Sequence, residues 1–496
     1  MIANRKVYEN RPTLFANNWD RFGGRALDIL NCFYVAQKLQ INFKFFWPYN
    51  SFFSQDDPHL RFFSQDFQDM YRVETDLDPG SKEIVDFNDY TLQSAKIFVA
   101  SIDSTANLGV ANFMSLPRFL DDSEENCTKE YVAHAHSVMS IEVRNASVEI
   151  DNSETGWITI HGRYGDLIDG DFKHYVPKTK YVNTLVYRKF IEQPRNNAVE
   201  IRFLSDSTSV VEGLEKIAKR NLSSEFHSQQ LIETFGKDAR DFIDILIMAN
   251  SDLILAPNSS AYSILASRIG GTKILDFQSS LHENNVLEIL ELDIDKHYEQ
   301  FSLQIRGNLK ARDLINFLQN HYKSVDFSTV LKLSYKSYSA DSEYVYAACI
   351  WSAIQFLLGE KHQAKIIMAH AEEVARSVMH VHHDPLAILL VTKFCLSVFE
   401  TKDANLFIMS ELSELKTYQF STIIAIGYLE NWKWRRGLEM RQVNTQSHLL
   451  RFFTTLTFRV KIVALRKYLL SRTWKNLPKD TYDEFLFSIL DLFVKI

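Results

Sequence analysis

The 496-residue sequence predicts an α/β fold with two Rossmann-like domains, followed by an all-α C-terminal domain. A strand–loop–helix–strand pattern opens the chain, and a second series of strands alternating with helices follows from about residue 147. Such alternation is typical of a parallel, doubly wound sheet. Strand patterns disappear beyond about residue 325. We therefore expect domains at residues 1–146, 147–325 and 326–496, close to ~150 residues per domain.

The N-terminal unit is predicted as a strand at Thr13–Ala16, a loop at Asn17–Gly24, an amphipathic helix at Arg25–Leu39 and a strand at Phe43–Phe46. This order places a Gly-containing loop at a helix N-terminus, where backbone N–H groups attract anions. Glycine also lets the backbone approach a ligand closely. The loop residues that we expect to contact a ligand are Arg21, Phe22, Gly23 and Gly24.

The region from Ser51 to Glu130 is aromatic, acidic and irregular, and we predict only one strand in it, at Ala95–Ile102. The second α/β series is clearer, because its apolar runs alternate with helical segments at regular spacing. Its predicted strands are Ile158–His161, Val199–Leu204, Leu253–Ala256 and Lys273–Phe277, and its predicted helices are Lys180–Glu192, Val210–Arg220, Asp238–Ala249 and Ala261–Ile269.

The segment Trp157–Asp166 carries the strongest functional signal in the chain. An apolar strand leads directly into His161, Arg163 and Asp166. The carboxyl ends of parallel strands are where open α/β sheets bind ligands. The planar, permanently charged guanidinium of Arg163 suits a phosphate group. The alternative is an ordinary surface ion pair between Arg163 and Asp166.

Two further polar segments stand at strand ends. A Ser-Asp pair ending at Asp206 closes one strand, although the same pair would also cap the helix that follows. Farther along, Asp244 precedes the strand Leu253–Ala256, which leads to Ser259 and Ser260 at the start of a predicted helix. Hydroxyl and N–H groups at a helix start are suited to phosphate oxygens.

These three segments, in this order, resemble the donor-binding motifs of the fucosyltransferase superfamily. The string His-x-Arg-x-Gly-Asp begins at His161, and the resemblance covers roughly residues 10 to 290. It implies a GT-B fold, in which two Rossmann-like domains face a cleft. It also implies inverting, metal-independent transfer of fucose or a related sugar from a GDP-sugar such as GDP-fucose. The acceptor would be a glycan, a lipid-linked oligosaccharide or a protein side chain.

The resemblance also implies residue roles. Arg163 would bind the β-phosphate and stabilise the leaving diphosphate, while Ser259 and Ser260 would contact phosphate oxygens. Asp244 would accept hydrogen bonds from guanine, which a carboxylate does well. His161 would pack on or hydrogen-bond the nucleoside, with a purely structural strand-end histidine as the alternative.

Asp206 belongs to the same predicted donor-binding set. The loop at Arg21–Arg25 resembles a Gly-rich element that closes over the donor from the other domain. Gly24 stands where the family commonly has Asn, so only the backbone role is carried over. No cofactor is implied beyond the donor itself.

The general base is predicted at Asp171, with Asp169 nearby, because some relatives place an acid about ten residues after the motif histidine. Inverting transfer requires the acceptor hydroxyl to lose its proton, usually to a carboxylate. Asp-Gly-Asp is also a common turn sequence. The same triplet could hold a metal as in GT-A enzymes, but we predict no metal site because Arg163 supplies the positive charge.

Composition describes an ordinary globular protein, 46% hydrophobic and 24% charged, with a net charge of −7. This charge gives no reason to expect nucleic-acid binding. The four cysteines lie far apart and form neither a zinc pattern nor a disulfide framework. The sequence has neither a signal-peptide core nor an apolar run of membrane length, so we expect a cytoplasmic protein.

Residues 430–475 depart from this balance, with eleven Lys or Arg against two Glu, a net charge of +9. Basic and aromatic residues together suit peripheral contact with an anionic inner membrane face. The alternative is a helical bundle with a solvated basic face. The span Tyr344–Asp384 resembles a degenerate tetratricopeptide helix pair, with a generic helical bundle as its alternative. The oligomeric state stays open.

Two other functions remain open from the sequence. A GT-B transferase that uses another nucleotide sugar would show the same sheets and phosphate contacts. An inactive GT-B scaffold would bind a partner through its helical domain. The joint presence of Arg163, Asp244 and the Ser259-Ser260 pair argues against the scaffold.

Overall fold

The computed structural model describes residues 8–18, 22–47, 58–76, 82–112, 114–121, 124–151, 156–168, 170, 173, 181–192, 199–219, 222, 240–257, 260–276, 289, 293–321, 325–378, 389 and 392. Arg21, Asp169, Asp171, Ser259 and the basic segment 430–475 therefore lie outside the described residues. No helix in the described part of the chain is both long enough and apolar enough to cross a membrane.

The strands and helices are numbered in chain order. The strands are β1 Thr13–Ala16, β2 Asn42–Phe46, β3 Arg72–Val73, β4 Lys82–Val85, β5 Asn107–Val110, β6 Trp157–Gly162, β7 Glu200–Ser205, β8 Leu253–Ala256 and β9 Lys273–Asp276. The helices are α1 Phe22–Leu39, α2 Gln65–Tyr71, α3 Leu92–Ser101, α4 Arg118–Asp121, α5 Glu124–Val138, α6 Ile141–Asp151, α7 Gly165–Ile168, α8 Thr184–Glu192, α9 Thr208–Ala218, α10 Arg240–Ala249, α11 Ala261–Gly270, α12 Ile294–Tyr298, α13 Leu303–His321, α14 Phe327–Ala340, α15 Val345–Leu357 and α16 Lys361–Ser377.

The chain forms two compact units. The first comprises Met1–Gly162, Ile191–Leu204 and Arg220–Ser280, and the second comprises Arg163–Phe190, Ser205–Lys219 and Leu281–Ile496. The strands of both sheets lie in the first unit, apart from Ser205 at the end of β7. The predicted domains, residues 1–146, 147–325 and 326–496, are ranges that we expect to fold independently, and they stay a prediction.

The first sheet has the strand order β3-β2-β1-β5-β4, and its pairings are parallel. The chain moves outward from β1 through β2 to β3, then crosses to the other side for β4 and β5. This confirms the α/β class and the first predicted strand, and β2 starts one residue before its predicted range. The strand order therefore reverses between β1 and β5, and ligands of open α/β sheets bind outside the carboxyl ends of strands at such a point.

The predicted strand at Ala95–Ile102 is wrong, because this segment forms most of α3. A capping box between Thr91 and Ser94 starts the helix. Ala95 and Val99, one turn apart, are fully buried, whereas Ile97 between them is 63% exposed. The capping box and the apolar period of about four residues therefore favour a helix more strongly than the β-branched residues favour a strand. The irregular region also contains β3, β4 and β5, which the sequence analysis missed.

The predicted boundary between loop and helix near Gly24 is also wrong. Helix α1 begins at Phe22, so Gly23 and Gly24 form its first turn and are buried. A Cβ added at Gly23 would lie 2.8 Å from the Cα of Tyr262 in α11. Glycine is therefore needed here for the close approach of two helices.

The second sheet has the order β7-β6-β8-β9, in which β6, β8 and β9 run parallel. Its predicted strands and helices are confirmed, with ends shifted by up to four residues. Leu14 of β1, Leu27 of α1, Leu246 of α10 and Leu265 of α11 all belong to one buried apolar cluster. Burying a leucine side chain contributes roughly 1.5–3 kcal/mol, so this shared core fixes α1 against α11.

Helices dominate the second unit. The carboxylate of Asp313 in α13 is buried and accepts hydrogen bonds from the hydroxyls of Tyr181 (2.7 Å) and Tyr298 (2.9 Å) and from the N–H of Thr184 (3.0 Å). Residues 327–377 form α14, α15 and α16, with a turn at Gly359 (φ 92°) between the last two. A helix pair is thus present where one was predicted, while the tetratricopeptide interpretation stays a prediction.

Candidate functional site

The second sheet reverses its strand order at β6. The chain leaves β6 for β7 on one side and later returns to β8 on the other side. Ligands of open α/β sheets bind at such a switch point, outside the carboxyl ends of the strands. His161 occupies the carboxyl end of β6, and β8 leads to the start of α11. The sheet topology therefore brings the first and third sequence motifs to one edge.

Hydrogen bonds connect these two motifs directly. Nδ1 of His161 lies 2.6 Å from Oγ of Ser263 and 3.4 Å from Oγ of Ser260. The hydroxyl of Ser263 donates to Oγ of Ser260 over 3.2 Å. Ser263 is completely buried. These three side chains form a connected polar cluster although His161 and Ser263 are 102 residues apart.

Helix α11 begins beside this cluster. Ser260 is its N-cap, and the Ser260 side chain accepts a hydrogen bond from the N–H of Ser263. The first N–H groups of a helix have no partner within it, and the helix dipole places partial positive charge there. The start of α11 is therefore suited to an anion such as a phosphate.

Aromatic contacts extend the cluster toward the N-terminus of α1. The ring of Tyr262 lies 5.3 Å from the ring of His161, and its backbone packs against Gly23. Phe22 stacks on His59 with 4.8 Å between ring centroids. His59 in turn hydrogen-bonds Asp241 at 3.0 Å. Phe22 and Gly23 are thus packed into the neighbourhood of α11.

One further contact fixes this neighbourhood. The hydroxyl of Tyr262 donates to the backbone carbonyl of Asp241, at the start of α10. The N-terminal turns of α10 and α11 are therefore joined through one tyrosine. The predicted Gly-rich element is part of the first unit, together with His161 and Ser260.

Asp244 lies in α10, with 14% of its side chain exposed. Burial raises the pKa of Asp244 from 3.8 to about 7, and the negative charge of Asp241 adds to the increase. Arg240, whose Nε is 4.0 Å from Oδ2 of Asp244, opposes it. This carboxyl can therefore change its charge near neutral pH.

The second unit contains Arg163 and Asp206. Oδ1 of Asp206 accepts hydrogen bonds from the backbone N–H groups of Tyr164 and Gly165, each over 2.7 Å. The buried Tyr164 also donates its hydroxyl to the carbonyl of Val182 at 2.5 Å. Asp206 thus holds the turn that immediately follows Arg163.

The same turn is supported by α13. Asn308 donates to the carbonyl of Ile168 at 3.1 Å, and Arg312 donates to the carbonyl of Leu167 at 3.1 Å. Arg312 also contacts the carbonyl of Lys173 and pairs with Asp341 at 2.7 Å. These bonds satisfy carbonyl groups at the end of the short helix α7. Residues far along the chain therefore help to order the segment after Arg163.

The predicted site residues that the structure describes are divided between the two units. His161, Ser260, Phe22 and Gly23 are connected through contacts in the first unit, where Gly24 lies in the same turn as Gly23. Arg163 and Asp206 belong to the second unit. Arg21, Asp171 and Ser259 lie outside the described residues, and the roles of all these residues stay predictions.

Sequence reasoning gave Ser263, the last residue of the third motif, no role of its own, and it missed Tyr262 and the His59–Asp241 pair as parts of this neighbourhood. The Ser-x-x-Ser spacing of Ser260 and Ser263 was an available signal, because an N-cap serine faces the residue three positions later. Within the described ranges, no three His, Cys, Asp or Glu residues are grouped as metal ligands would be. Asp169 and Asp171 fall in the gaps of those ranges.

The sequence matches no protein-family model and no curated protein. Among solved structures, the chain is similar to the fucosyltransferase NodZ from Bradyrhizobium, with 15% identity and a TM-score of 0.33 over 55% of this chain and 98% of that one. A mutant of Arabidopsis thaliana FUT1 in complex with GDP has 12% identity and a TM-score of 0.33 over 54% of this chain and 70% of that one.

A third similar structure is POFUT1 in complex with GDP-fucose, with 10% identity and a TM-score of 0.28 over 55% of this chain and 98% of that one. NodZ is a fucosyltransferase, and the other two structures are complexes with GDP or GDP-fucose. The described part of this chain has parallel sheets with helices, which is an α/β fold. At such identities and TM-scores, the similarity carries no argument about the activity of this chain.

Proposed function

We propose that this chain is an inverting, metal-independent glycosyltransferase of the GT-B type. It would move fucose or a related sugar from a GDP-sugar to a glycan, a lipid-linked oligosaccharide or a protein acceptor. The observation that carries the proposal is the hydrogen-bonded cluster of His161, Ser263 and Ser260. This cluster joins two of the three motif segments at a sheet switch point and at the start of a helix.

The proposed chemistry depends on charge at the leaving group. As the anomeric bond breaks, the sugar gains oxocarbenium character and the nucleoside diphosphate gains negative charge. Arg163 would bind this diphosphate through its guanidinium fork. Ser259, Ser260 and the first N–H groups of α11 would bind further phosphate oxygens. The proposal thus assigns the leaving-group charge to side chains and amides.

Asp244 would select guanine through hydrogen bonds from the base to its carboxylate. Accepting a hydrogen bond on each of the two carboxyl oxygens requires the ionised form. Because burial raises the pKa of Asp244 to about 7, GDP binding would compete with a proton near neutral pH. Asp206 would act by holding the turn after Arg163, as its contacts with Tyr164 and Gly165 support.

The remaining parts of the proposal rest on sequence alone. Asp171 would accept the proton of the acceptor hydroxyl. The protein would be cytoplasmic, and the basic segment 430–475 would allow peripheral contact with the inner membrane face.

Calorimetric titration with GDP, UDP and CMP tests the nucleotide. We expect GDP to bind at least tenfold more tightly than UDP or CMP. Preference for UDP or CMP would indicate a transferase with another nucleotide sugar. Absence of binding by all three would favour the inactive scaffold.

A further inference from the structure

The guanidinium of Arg312 is buried in the second unit and connects three parts of the chain. Its Nε donates to the carbonyl of Leu167 over 3.1 Å, and its Nη2 donates to the carbonyl of Lys173. Its Nη1 donates to the carbonyl of Asn308 over 2.8 Å and to Oδ2 of Asp341 over 2.7 Å. A charge that is 99% buried needs such partners, because it has lost its hydration. These bonds hold the planar guanidinium in one orientation.

One side of this arrangement is the short helix α7, which begins two residues after Arg163. The start of α7 is held by Asp206, which accepts the two backbone N–H groups described above. The last two carbonyls of α7 accept hydrogen bonds from the side chains of Arg312 and Asn308, each over 3.1 Å. The turn after Arg163 is therefore restrained at both of its ends.

The other side is the junction between α14 and α15. Asp341 ends α14, and its backbone N–H donates to the carbonyl of Ser337. Tyr344 precedes α15, and the centroid of its ring lies 4.6 Å from the guanidinium carbon of Arg312, which is the distance of a cation–π contact. Both residues lie beyond the predicted domain boundary at residue 325. One side chain thus links the helices beyond this boundary to α7, and all of these residues belong to the second unit.

We propose that Arg312 is a positioning residue for the sugar transfer, which together with Asp341 ties the α14–α15 junction to the turn after Arg163. This inference rests on the proposed function for the role of Arg163. Arg312 is buried and bonded to protein groups, so it would act through α7 and not on the donor itself. A displacement of about 1 Å can cost a catalytic group roughly a hundredfold in rate. The helices beyond residue 325 would then be required for donor binding and turnover.

The first test requires no ligand. The last two N–H groups of α7 donate to the carbonyl of Tyr164, so their hydrogen exchange reports whether α7 is formed. We expect Arg312→Met to speed this exchange at least about tenfold, measured by mass spectrometry of peptides that cover α7. Arg306→Met is the matched control, because Arg306 lies in the same helix and donates to two backbone carbonyls between α12 and α13, each over 3.1 Å. It should leave exchange in α7 unchanged.

The second test is a double-mutant cycle on GDP affinity. Arg312→Met should weaken GDP about three- to tenfold in otherwise wild-type protein, and less than about twofold when Arg163 is already replaced by Ala, because the lost restraint acts through Arg163. Arg312→Lys keeps the charge but loses the fork, so its effect should be intermediate. Arg306→Met should leave GDP affinity unchanged in both backgrounds. Calorimetry gives the affinities, and melting temperatures show which variants are folded.

The outcomes separate this inference from the proposed function. Unchanged exchange in α7 of folded Arg312→Met would overturn the positioning role, and so would equal losses of GDP affinity with and without Arg163. If Arg312→Met does not fold, Asp341→Asn should show the same pattern with smaller effects, and its absence there would also overturn the role. Wild-type protein that binds no GDP, while Arg312→Met still speeds exchange in α7, would contradict the proposed function and support the ordering of α7 by Arg312.

Discussion

Replacement of Asp206 tests whether this residue orders the turn after Arg163. Oδ1 of Asp206 accepts two backbone N–H groups, from Tyr164 and Gly165, each at 2.7 Å. A hydrogen bond to a charged group is worth about 1.5–3 kcal/mol. Asp206 is exposed, so water would replace part of each bond. We expect Asp206→Ala to lower the free energy of unfolding by about 1–3 kcal/mol for the pair.

Asp206→Asn keeps an acceptor oxygen and loses the charge, so it should cost roughly half as much. Misplacing the turn should also slow sugar transfer by about ten- to hundredfold, because small errors in the position of a catalytic group are costly. Urea denaturation measures the stability, and steady-state kinetics with saturating donor measure the transfer. Glu212→Ala, an exposed carboxylate removed from α9, is the matched control.

Two results would refute this reasoning. Asp206→Ala with unchanged stability but no donor binding would indicate direct ligand contact instead. Equal effects of Asp206→Ala and Glu212→Ala would indicate that the two short hydrogen bonds contribute nothing specific.

Four further perturbations test the rest of the account. Arg163→Ala should lower transfer by about 10²–10³-fold in a protein that stays folded, as for loss of one oxyanion contact, and near-normal turnover would contradict the motif assignment. Asp244→Asn should weaken GDP about tenfold or more while leaving pyrophosphate unchanged in calorimetry. The stability of Asp244→Asn relative to wild type should increase as the pH rises from about 4 to about 8. The folded-state pKa of Asp244, about 7, exceeds 3.8, so the ionised carboxylate destabilises the wild-type fold as pH rises. A difference in unfolding free energy that stays constant over this pH range would show that Asp244 is not buried. Gly23→Ala should cost about 1–3 kcal/mol in urea denaturation through its clash with Tyr262, and an unaltered midpoint would argue against that packing. Transfer should survive excess EDTA, whereas loss on chelation and recovery with manganese would support a metal at Asp169 and Asp171.

The sequence was sufficient for the elements that have strong local signals. The strands β6 and β8 are short apolar runs with well-defined ends, and Ser260 marks the start of α11 as a capping residue. Parallel pairing then followed from the alternation of strands and helices. The proximity of His161 to Ser260 was predictable at the level of the sheet edge, because His161 lies at the end of β6 and Ser260 follows β8 of the same sheet.

Other features depend on contacts between distant residues. Gly23 and Gly24 have the composition of a loop, yet they form a helical turn, and the contact of Gly23 with Tyr262 joins residues that are far apart in the sequence. The strands β4 and β5 are short and carry polar residues or glycine, so their pattern is weak. The bond between His161 and Ser263 spans 102 residues and leaves no local signal.

In the second unit, too, contacts between distant residues limit what the local sequence predicts. The order of the turn after Arg163 depends on Asp206, Asn308 and Arg312, which come from three separate places in the chain. Nothing in the local sequence around Arg163 indicates these partners. The arginine side chain itself predicted which groups Arg163 could bind. The residues that order the turn after Arg163 could be identified only in the folded structure.

Hydrolysis of GDP-fucose by the purified chain tests the central claim most directly, because slow donor hydrolysis requires no knowledge of the acceptor. We expect the wild type to release GDP and fucose in the presence of EDTA, and the Arg163→Ala variant to release them at least about a hundredfold more slowly. Equal rates for wild type and Arg163→Ala, or no release above the uncatalysed rate from a wild-type protein that is folded, would contradict the account.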